Sequence, residues 1–452
     1  VIARYQLVYL HRSGRLWLAM AVLLLLLGGS LVVSLVRQQA RAAEVAVAAE
    51  HERERWLSQG TKNPHLAAHW GLYAFRPRSL GGAVEPGVDA YVGSTIWIEA
   101  HKENAAQFRE ADERQELSSL GDLTPAFVLT VLLPLILLLL CHDALAGERE
   151  SGTIRTVLAL GVDARRLLLG KALGTAAALL LVTLPTLIAG LSCVAWLGHL
   201  EGNAQSLSAL LRMMMAYTLY AVAFGAVGLL VSVLSQSRRM ALACGVGIWI
   251  LLCLLGPRVA SRLASWAYPA PNRADYNARL DDALEHGLDG KSSPELRRRE
   301  AESEVPAGHQ SQGYVLEAEE QHGYKVFDAF SSTLDQLYSQ QAELLSGLSL
   351  VCPPLAVRAI AMDQAGTDWR HVYHFDQEVE GYRREMVQTM NRAMMEHSGE
   401  PGQLRADERL WKTLPPFVFH DPGPLGGALP WLALVFWAVL PLALLSKVPV
   451  RP

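Results

Sequence analysis

Six long apolar runs divide the chain, at residues 16–36, 125–141, 173–197, 207–234, 240–255 and 428–445. A helix needs about 20 mostly apolar residues to cross the hydrocarbon layer, so each run predicts a membrane span. The fifth is short and extends toward Ala264. Pro134, Pro185 and Pro441 fall inside three of the runs, which membrane helices tolerate when neighbours satisfy the freed carbonyls. The first run is too long for a signal-peptide core and no small-residue cleavage pattern follows it, so it predicts a retained helix. The fold class expected is an α-helical polytopic membrane protein with six transmembrane helices.

Two long polar segments interrupt the runs, residues 37–124 and 257–427. Ala, Glu and Arg dominate residues 37–59, which predicts a helix continuing out of the membrane. Turn dipeptides then follow at Asn63-Pro64, Arg76-Pro77 and Gly81-Gly82. Short strands are expected over 70–75 and 91–98, and a charged helix over 100–120. In the second segment, Val326, Phe327, Phe330, Leu334, Leu337, Leu344, Leu345 and Leu348 repeat at helical spacing. A second stripe runs Val372, Phe375, Val379, Tyr382, Met386 and Met390, with Gly366-Thr367-Asp368 as its N-cap. Cys352-Pro353-Pro354 separates the stripes, and residues 281–312 read as a loop. The organisation expected is an amphipathic lead and first span (1–36), a first polar segment (37–124), four spans with a charged loop at 142–171 (125–256), a second polar segment (257–427), and a last span with a tail (428–452). The two polar segments would form one mainly helical domain with some β structure. The chain opens on Val1, so its natural N-terminus is expected to be missing or renumbered.

Charge orients this arrangement. Of 452 residues, 51% are hydrophobic and only 19% charged, which excludes a soluble enzyme; the net charge of -4 gives no basic bias toward nucleic acid. Basic residues collect at Arg4, Arg12 and Arg15, at Arg149, Arg155, Arg165, Arg166 and Lys171, at Arg238 and Arg239, and at Lys447 and Arg451. The positive-inside rule puts all four groups, and both termini, in the cytoplasm. Residues 37–124 carry 10 Lys/Arg against 13 Asp/Glu, and residues 257–427 carry 17 against 26, so the expected exterior is acidic. Four of the five cysteines lie in or beside apolar runs, which leaves neither polar segment able to form an internal disulfide.

The loop after the second run reads Glu148-Arg149-Glu150-Ser151-Gly152-Thr153-Ile154-Arg155 and reaches the third run through Gly170-Lys171. This string resembles the E-R-E-x-G-T signature of ABC type-2 transporter permeases. The resemblance implies that Glu148, Arg149, Glu150, Gly152, Thr153 and Arg155 form a cytoplasmic coupling element that docks on a separate ABC ATPase subunit, in two copies, where ATP and Mg are bound. It also implies a second permease copy or related subunit, surrounding lipid, and a multi-pass location in the bacterial inner membrane with large domains in the periplasm. No cofactor is expected on this chain and no nucleic-acid partner. Trp70 to Pro77, and Ala365 to Asp368 with His371, His374, Phe375, Glu380, Tyr382 and Arg383, resemble a subgroup of these permeases with large periplasmic insertions after the first and before the last span.

A motor within the chain is not expected. Gly290-Lys291-Ser292 ends like a phosphate-binding loop, but Glu285 stands where its first glycine belongs. The chain is therefore expected to be a permease rather than an enzyme, coupling ATP hydrolysis to substrate movement across or out of the membrane. The alternative is a mechanotransmission complex acting on a periplasmic partner without transport. Arg212 and Met213, near the outer end of the fourth run, are candidates for the substrate path. No metal is expected, with His371 and His374 as weak candidates beside Asp368 and Asp376; the alternative is a site in which His65, His69 and His101 of the first polar segment join them in space.

Overall fold

The computed structural model describes residues 1–109, 123–197, 204–397 and 404–448. The amphipathic helix α1 (Ile2–Arg12) turns at Gly14 into α2 (Arg15–Leu57), a single helix of 43 residues. The expected boundary after residue 36 therefore falls inside a continuous helix. Beyond a short helix α3 (Pro64–Trp70), strands β1 (Leu72–Phe75) and β2 (Thr95–Ile98) pair antiparallel with Leu72 opposite Ile98. The second apolar run forms a π-helical turn (Val128–Leu132) and α4 (Leu133–Cys141). Two short helices, α5 (Ala146–Glu150) and α6 (Thr153–Ala159), lead to α7 (Ala164–Leu197) and α8 (Ala204–Leu234). The next run forms α9 (Arg238–Trp249), a π-helical turn, and α10 (Gly256–Ala267) in one unbroken rod, which takes it past 255 in the direction expected, through Ala264.

Among the described residues, five helices are long and apolar enough to cross a membrane: those at Arg15–Leu57, Pro125–Glu150, Ala164–Trp196, Gln205–Leu234 and Arg238–Ala267. The sixth expected span, Leu429–Leu445, is an apolar helix of 17 residues. At 1.5 Å per residue it covers about 26 Å, slightly less than the hydrocarbon thickness of about 30 Å. The apolar stretch of α8 is 72% buried and that of the Arg238–Ala267 rod only 17%, so α8 is the axle of the bundle and the rod lies at its edge. Helix α8 packs against α4, α7 and the Leu429–Leu445 helix.

Helix α1 lies along α7, where glycine allows close approach. A Cβ on Gly174 would meet the Ala3 carbonyl oxygen at 2.5 Å and Gln6 Cβ at 2.7 Å. Gly174→Leu is expected to pry α1 off the bundle at a cost of about 1–3 kcal/mol, seen as a lowered melting temperature and new protease cleavage near Ser13.

The polar lobe is mainly helical: α11 (Arg273–His286), α12 (Pro294–Ser303), α13 (Ser311–Leu348), α14 (Pro353–Ala365), α15 (Trp369–Met395) and α16 (Glu408–Thr413), before α17 (Leu429–Leu445). Both apolar stripes are helical, and Asp368 caps α15 by accepting from the His371 backbone N–H at 3.1 Å. Two expectations are corrected. Residues 281–312 are largely helical, because Ser293 caps α12 with Pro294 and Glu295 in its first turn. Residues 100–109 are extended and irregular, with Gln107 bridged to Thr95 and Lys102 to Glu99; the remainder of the charged helix expected to 120 lies outside the described residues.

The lobe's core gathers Trp56, Ile98, Phe375, Met386, Met390 and Trp411. Trp56 Nε1 donates to the Trp411 carbonyl at 2.9 Å, which ties the far end of α2 into it. Helix α14 joins lobe to bundle: Ala356, Val357, Ile360 and Ala361 belong to the membrane-side core and pack on α8.

Asp376, on α15, has a buried Oδ1 with no hydrogen-bond partner among the described residues. Burial, partly offset by the Arg76 charge, pushes its pKa up from 3.8 to about 7. A carboxyl whose folded pKa is raised contributes stability below its unfolded pKa and loses it as pH rises through the folded value. The melting temperature is thus expected to fall between about pH 4 and pH 7, and Asp376→Asn to flatten that fall when melting curves are compared across the window.

Candidate coupling surface

The turn between α4 and α7 is locked by groups from four other elements. Ser232 of α8 is fully buried; its hydroxyl accepts from the backbone N–H groups of Leu145 (3.0 Å) and Ala146 (3.2 Å) and donates to the His142 carbonyl (3.0 Å). One hydroxyl thereby satisfies three backbone groups where α4 stops. Asp143, with its side chain 1% exposed, pairs with Arg15 at the start of α2 and accepts from the Tyr9 hydroxyl at 3.3 Å.

The three charges that open the signature are each tied to a different helix, Glu148 and Arg149 half-buried and Glu150 exposed. Glu148 pairs with Lys171 of α7, whose ammonium also donates to Gln6 Oε1 of α1 at 2.8 Å. Arg149 donates to the Ser235 carbonyl at the end of α8. Glu150 Oε2 accepts the Arg238 backbone N–H at 2.9 Å, placing a carboxylate at the N-terminus of α9, where the helix dipole favours it. Gly147 lies against the Arg238 guanidinium, so closely that a Cβ would sit 2.8 Å from Nε.

Gly152 then reverses the chain at φ +76°, in the left-handed region, with open space where a Cβ would stand: among the described residues, only its chain neighbours come within 4 Å. Helix α6 is pinned by Ile154, which is fully buried. Its other face, with Thr153, Arg155, Thr156, Ala159 and Leu160, is exposed, Leu160 by 79%. Of the signature residues, then, Glu148, Arg149 and Glu150 fasten the turn, Gly152 bends it, and Thr153 and Arg155 face outward. The arrangement is a small, rigidly mounted surface whose displacement must move α1, α7, α8 and α9 together.

Other sequence candidates lie elsewhere. Arg212, toward the opposite end of α8, donates through Nε to Gln364 Oε1 of α14, and Met213 is buried against Gly81. His371 and His374 are not brought to a common point. The ring of His371 bonds Asp368 Oδ1 at 2.6 Å and the Gly423 carbonyl at 3.0 Å; His374 Nε2 lies 3.1 Å from the His420 carbonyl. Burial opposes a charge on His371, but the Asp368 carboxylate outweighs it and raises the pKa. Residues 65, 69 and 101 do converge: burial, with His69 and His101 alongside, pushes His65 down to about 4. Sequence reasoning passed over Gln6, Asp143 and Ser232 as parts of the turn. Asp143 and Ser232 did carry a signal, each being a polar residue at or inside an apolar run.

A bundle of membrane-length helices bearing a polar lobe and a turn fastened across it defines a multi-pass α-helical membrane protein. Residues 2–285 match the family model described as ABC-2 family transporter protein, well over half of the chain, and the chain belongs to that family. Residues 291–420 match a second model, described as a domain of unknown function (DUF3526). Among curated proteins, the chain is 35% identical over 130 residues to a probable ABC transporter permease protein NosY of Pseudomonas aeruginosa, covering 28% of this chain and 46% of that protein. It is 33% identical over 134 residues to the NosY protein of Stutzerimonas stutzeri, covering 29% and 47%. The chain thus spans about half the length of the curated relatives it matches.

Proposed function

We propose that this chain is the transmembrane permease subunit of an ABC transporter, passing ATP-driven motion from a separate ATPase to a substrate that moves across or out of the membrane. In this reading there are six spans, both termini and the α5–α6 turn are cytoplasmic, the lobe is periplasmic, and the membrane is the bacterial inner membrane. Two ATPase copies and a second permease complete the assembly. The observation that carries the reading is the turn itself: three charges anchored to three helices behind it, and an exposed α6 face in front. Family membership and the permease names of the two relatives support it.

The test uses the full chain reconstituted with its ATPase. Reversing the exposed charge by Arg155→Glu is expected to weaken ATPase association about tenfold, equivalent to about 1.4 kcal/mol. The melting temperature should hardly change, since Arg155 is exposed. Gly152 gives a second handle: with open space around it, a side chain there costs only backbone strain, roughly 1–2 kcal/mol. Substrate-stimulated hydrolysis should rank wild type above Gly152→Asn, and Gly152→Asn above Gly152→Val, because Asn tolerates the left-handed region. Unchanged association and hydrolysis in all three variants would sink the coupling assignment.

A second reading has its own support, since α2 runs without a break from the bundle into the lobe core. There the same motion acts on a periplasmic partner and nothing crosses the membrane. ATP-dependent movement of substrate into or out of sealed vesicles would exclude it.

A further inference from the structure

Three imidazoles meet on the surface of the lobe, far in sequence from the coupling turn. His65 and His69 stand one turn apart on α3, so they share a face. The β1–β2 pairing folds residue 101 back beside that helix, and the Ala100 backbone N–H donates to the Ala68 carbonyl at 3.2 Å to fasten it there. The ring centroids form a near-equilateral triangle with sides of 4.6, 5.2 and 5.2 Å. One ligand-capable nitrogen from each residue lies within 4.8 Å of the other two, and His65 Nε2 and His69 Nε2 are 3.2 Å apart.

Tetrahedral coordination with metal–nitrogen bonds of about 2.0–2.1 Å requires nitrogens about 3.3 Å apart. The first pair already has that spacing, and His101 needs to close by at most about 1.5 Å.

His101 supplies an independent sign of a built site. It holds φ +66°, a left-handed conformation that costs a non-glycine residue roughly 1–2 kcal/mol. What holds it is one carboxylate oxygen: Glu320 Oε1, from α13, accepts from the His101 backbone N–H at 2.8 Å and pairs with its Nδ1 at 2.7 Å. With Nδ1 donating to Glu320, the lone pair of a neutral ring falls on Nε2. Glu320 is itself fixed, its side chain 1% exposed and its Oε2 accepting from Arg383 Nη1 at 3.2 Å. A buried carboxylate that orients the far nitrogen of a histidine is the usual outer-shell support of a metal ligand.

We propose that His65, His69 and His101 form a three-imidazole site for a divalent transition metal ion, Zn²⁺ or Cu²⁺, with Glu320 as the positioning residue for His101. Imidazole nitrogen suits both ions, and hard cations such as Mg²⁺ and Ca²⁺ prefer the oxygen ligands that this trio lacks. His69 is exposed, so the fourth position opens to solvent. Three protein ligands and one open position characterise sites that exchange or act on a ligand, whereas purely structural sites are closed by four.

The full chain, purified in detergent and stripped with a chelator, is titrated separately with Zn²⁺ and Cu²⁺ by calorimetry, and the Cu²⁺ form is read by electron paramagnetic resonance. One equivalent of at least one ion should bind, with nitrogen hyperfine structure if the ion is Cu²⁺. His69→Ala removes an exposed ligand and should weaken binding at least tenfold without lowering the melting temperature of the metal-free chain. Glu320→Gln should weaken it by about 10–100-fold. His286→Ala, at a surface histidine paired with Asp282, should change nothing. The site is refuted if neither ion binds stoichiometrically, or if His69→Ala binds as tightly as the wild type. Binding is read on this chain without an ATPase, so its failure leaves the permease reading standing, and the converse holds.

Discussion

Replacing Glu148 with glutamine is expected to destabilise the full chain by about 3–5 kcal/mol, because it strips the charge partner from a buried ammonium. The Lys171 side chain is 4% exposed and would lose its paired carboxylate, keeping neutral partners: the substituted amide oxygen, Gln6 Oε1 and the face of Tyr5, 5.4 Å from its Nζ. Lys171→Met should be milder, since the Glu148 side chain is 19% exposed and water can reach the stranded carboxylate. The double variant Glu148→Gln/Lys171→Met should recover much of the loss, with a coupling energy of about 0.5–3 kcal/mol. Melting curves of the four proteins in one detergent give the cycle directly. Strict additivity would mean that the pair does not hold the turn to α7.

A loss of similar size is expected for Arg383→Met in the lobe. This guanidinium binds Glu380 through Nε at 2.6 Å and Nη2 at 2.8 Å, reaches Glu320 at 3.2 Å, and lies over the Tyr324 ring at 5.2 Å. Removing it leaves Glu320, with a side chain 1% exposed, and Glu380, at 6%, with fewer partners inside apolar packing, at a cost of about 3–5 kcal/mol. Arg384 Nε still contacts Glu380 at 2.8 Å and limits the damage on that side. Arg383→Lys should fall between, because an ammonium keeps the charge but lacks the planar fork that binds two oxygens of one carboxylate. Denaturation monitored by tryptophan fluorescence suits this test, since Trp56 and Trp411 sit in the same lobe core.

The five membrane-length helices of the described residues were legible because a 20-residue apolar run has few alternatives, and the extension of α2 because Ala, Glu and Arg favour a helix even outside lipid. Helix α12 was misread although Ser293-Pro294-Glu295 is a strong start signal; the surrounding Gly290 and Pro306 looked like loop punctuation and outweighed it. Residues 100–109 were misread for the opposite reason. Their charges suggested a helix, but no apolar period supports one, and the bridges to Thr95 and Glu99 take over the backbone. At the α5–α6 turn, the sequence singled out Glu148, Arg149 and Glu150 but not the directions of their side chains. Whether Glu148 faces a partner protein or Lys171 depends on how α5 sits on α7, a tertiary fact with no local signature. His65, His69 and His101 were named, but their convergence was not legible for the same reason: a strand pairing brings residue 101, 32 positions on, back to His69, and Glu320 comes from another segment altogether.

Helix α2 has a mechanical consequence. From Leu16 to Trp56 it spans about 60 Å of uninterrupted hydrogen-bonded rod. Arg15 at its base is tied through Asp143 to the α5–α6 turn, and Trp56 at its tip is clamped in the lobe core. Such a rod acts as a lever arm. A tilt of about ten degrees pivoting at its base sweeps the tip through roughly 10 Å, so a rearrangement of less than a helix diameter at one membrane face becomes a stroke comparable to that diameter at the lobe.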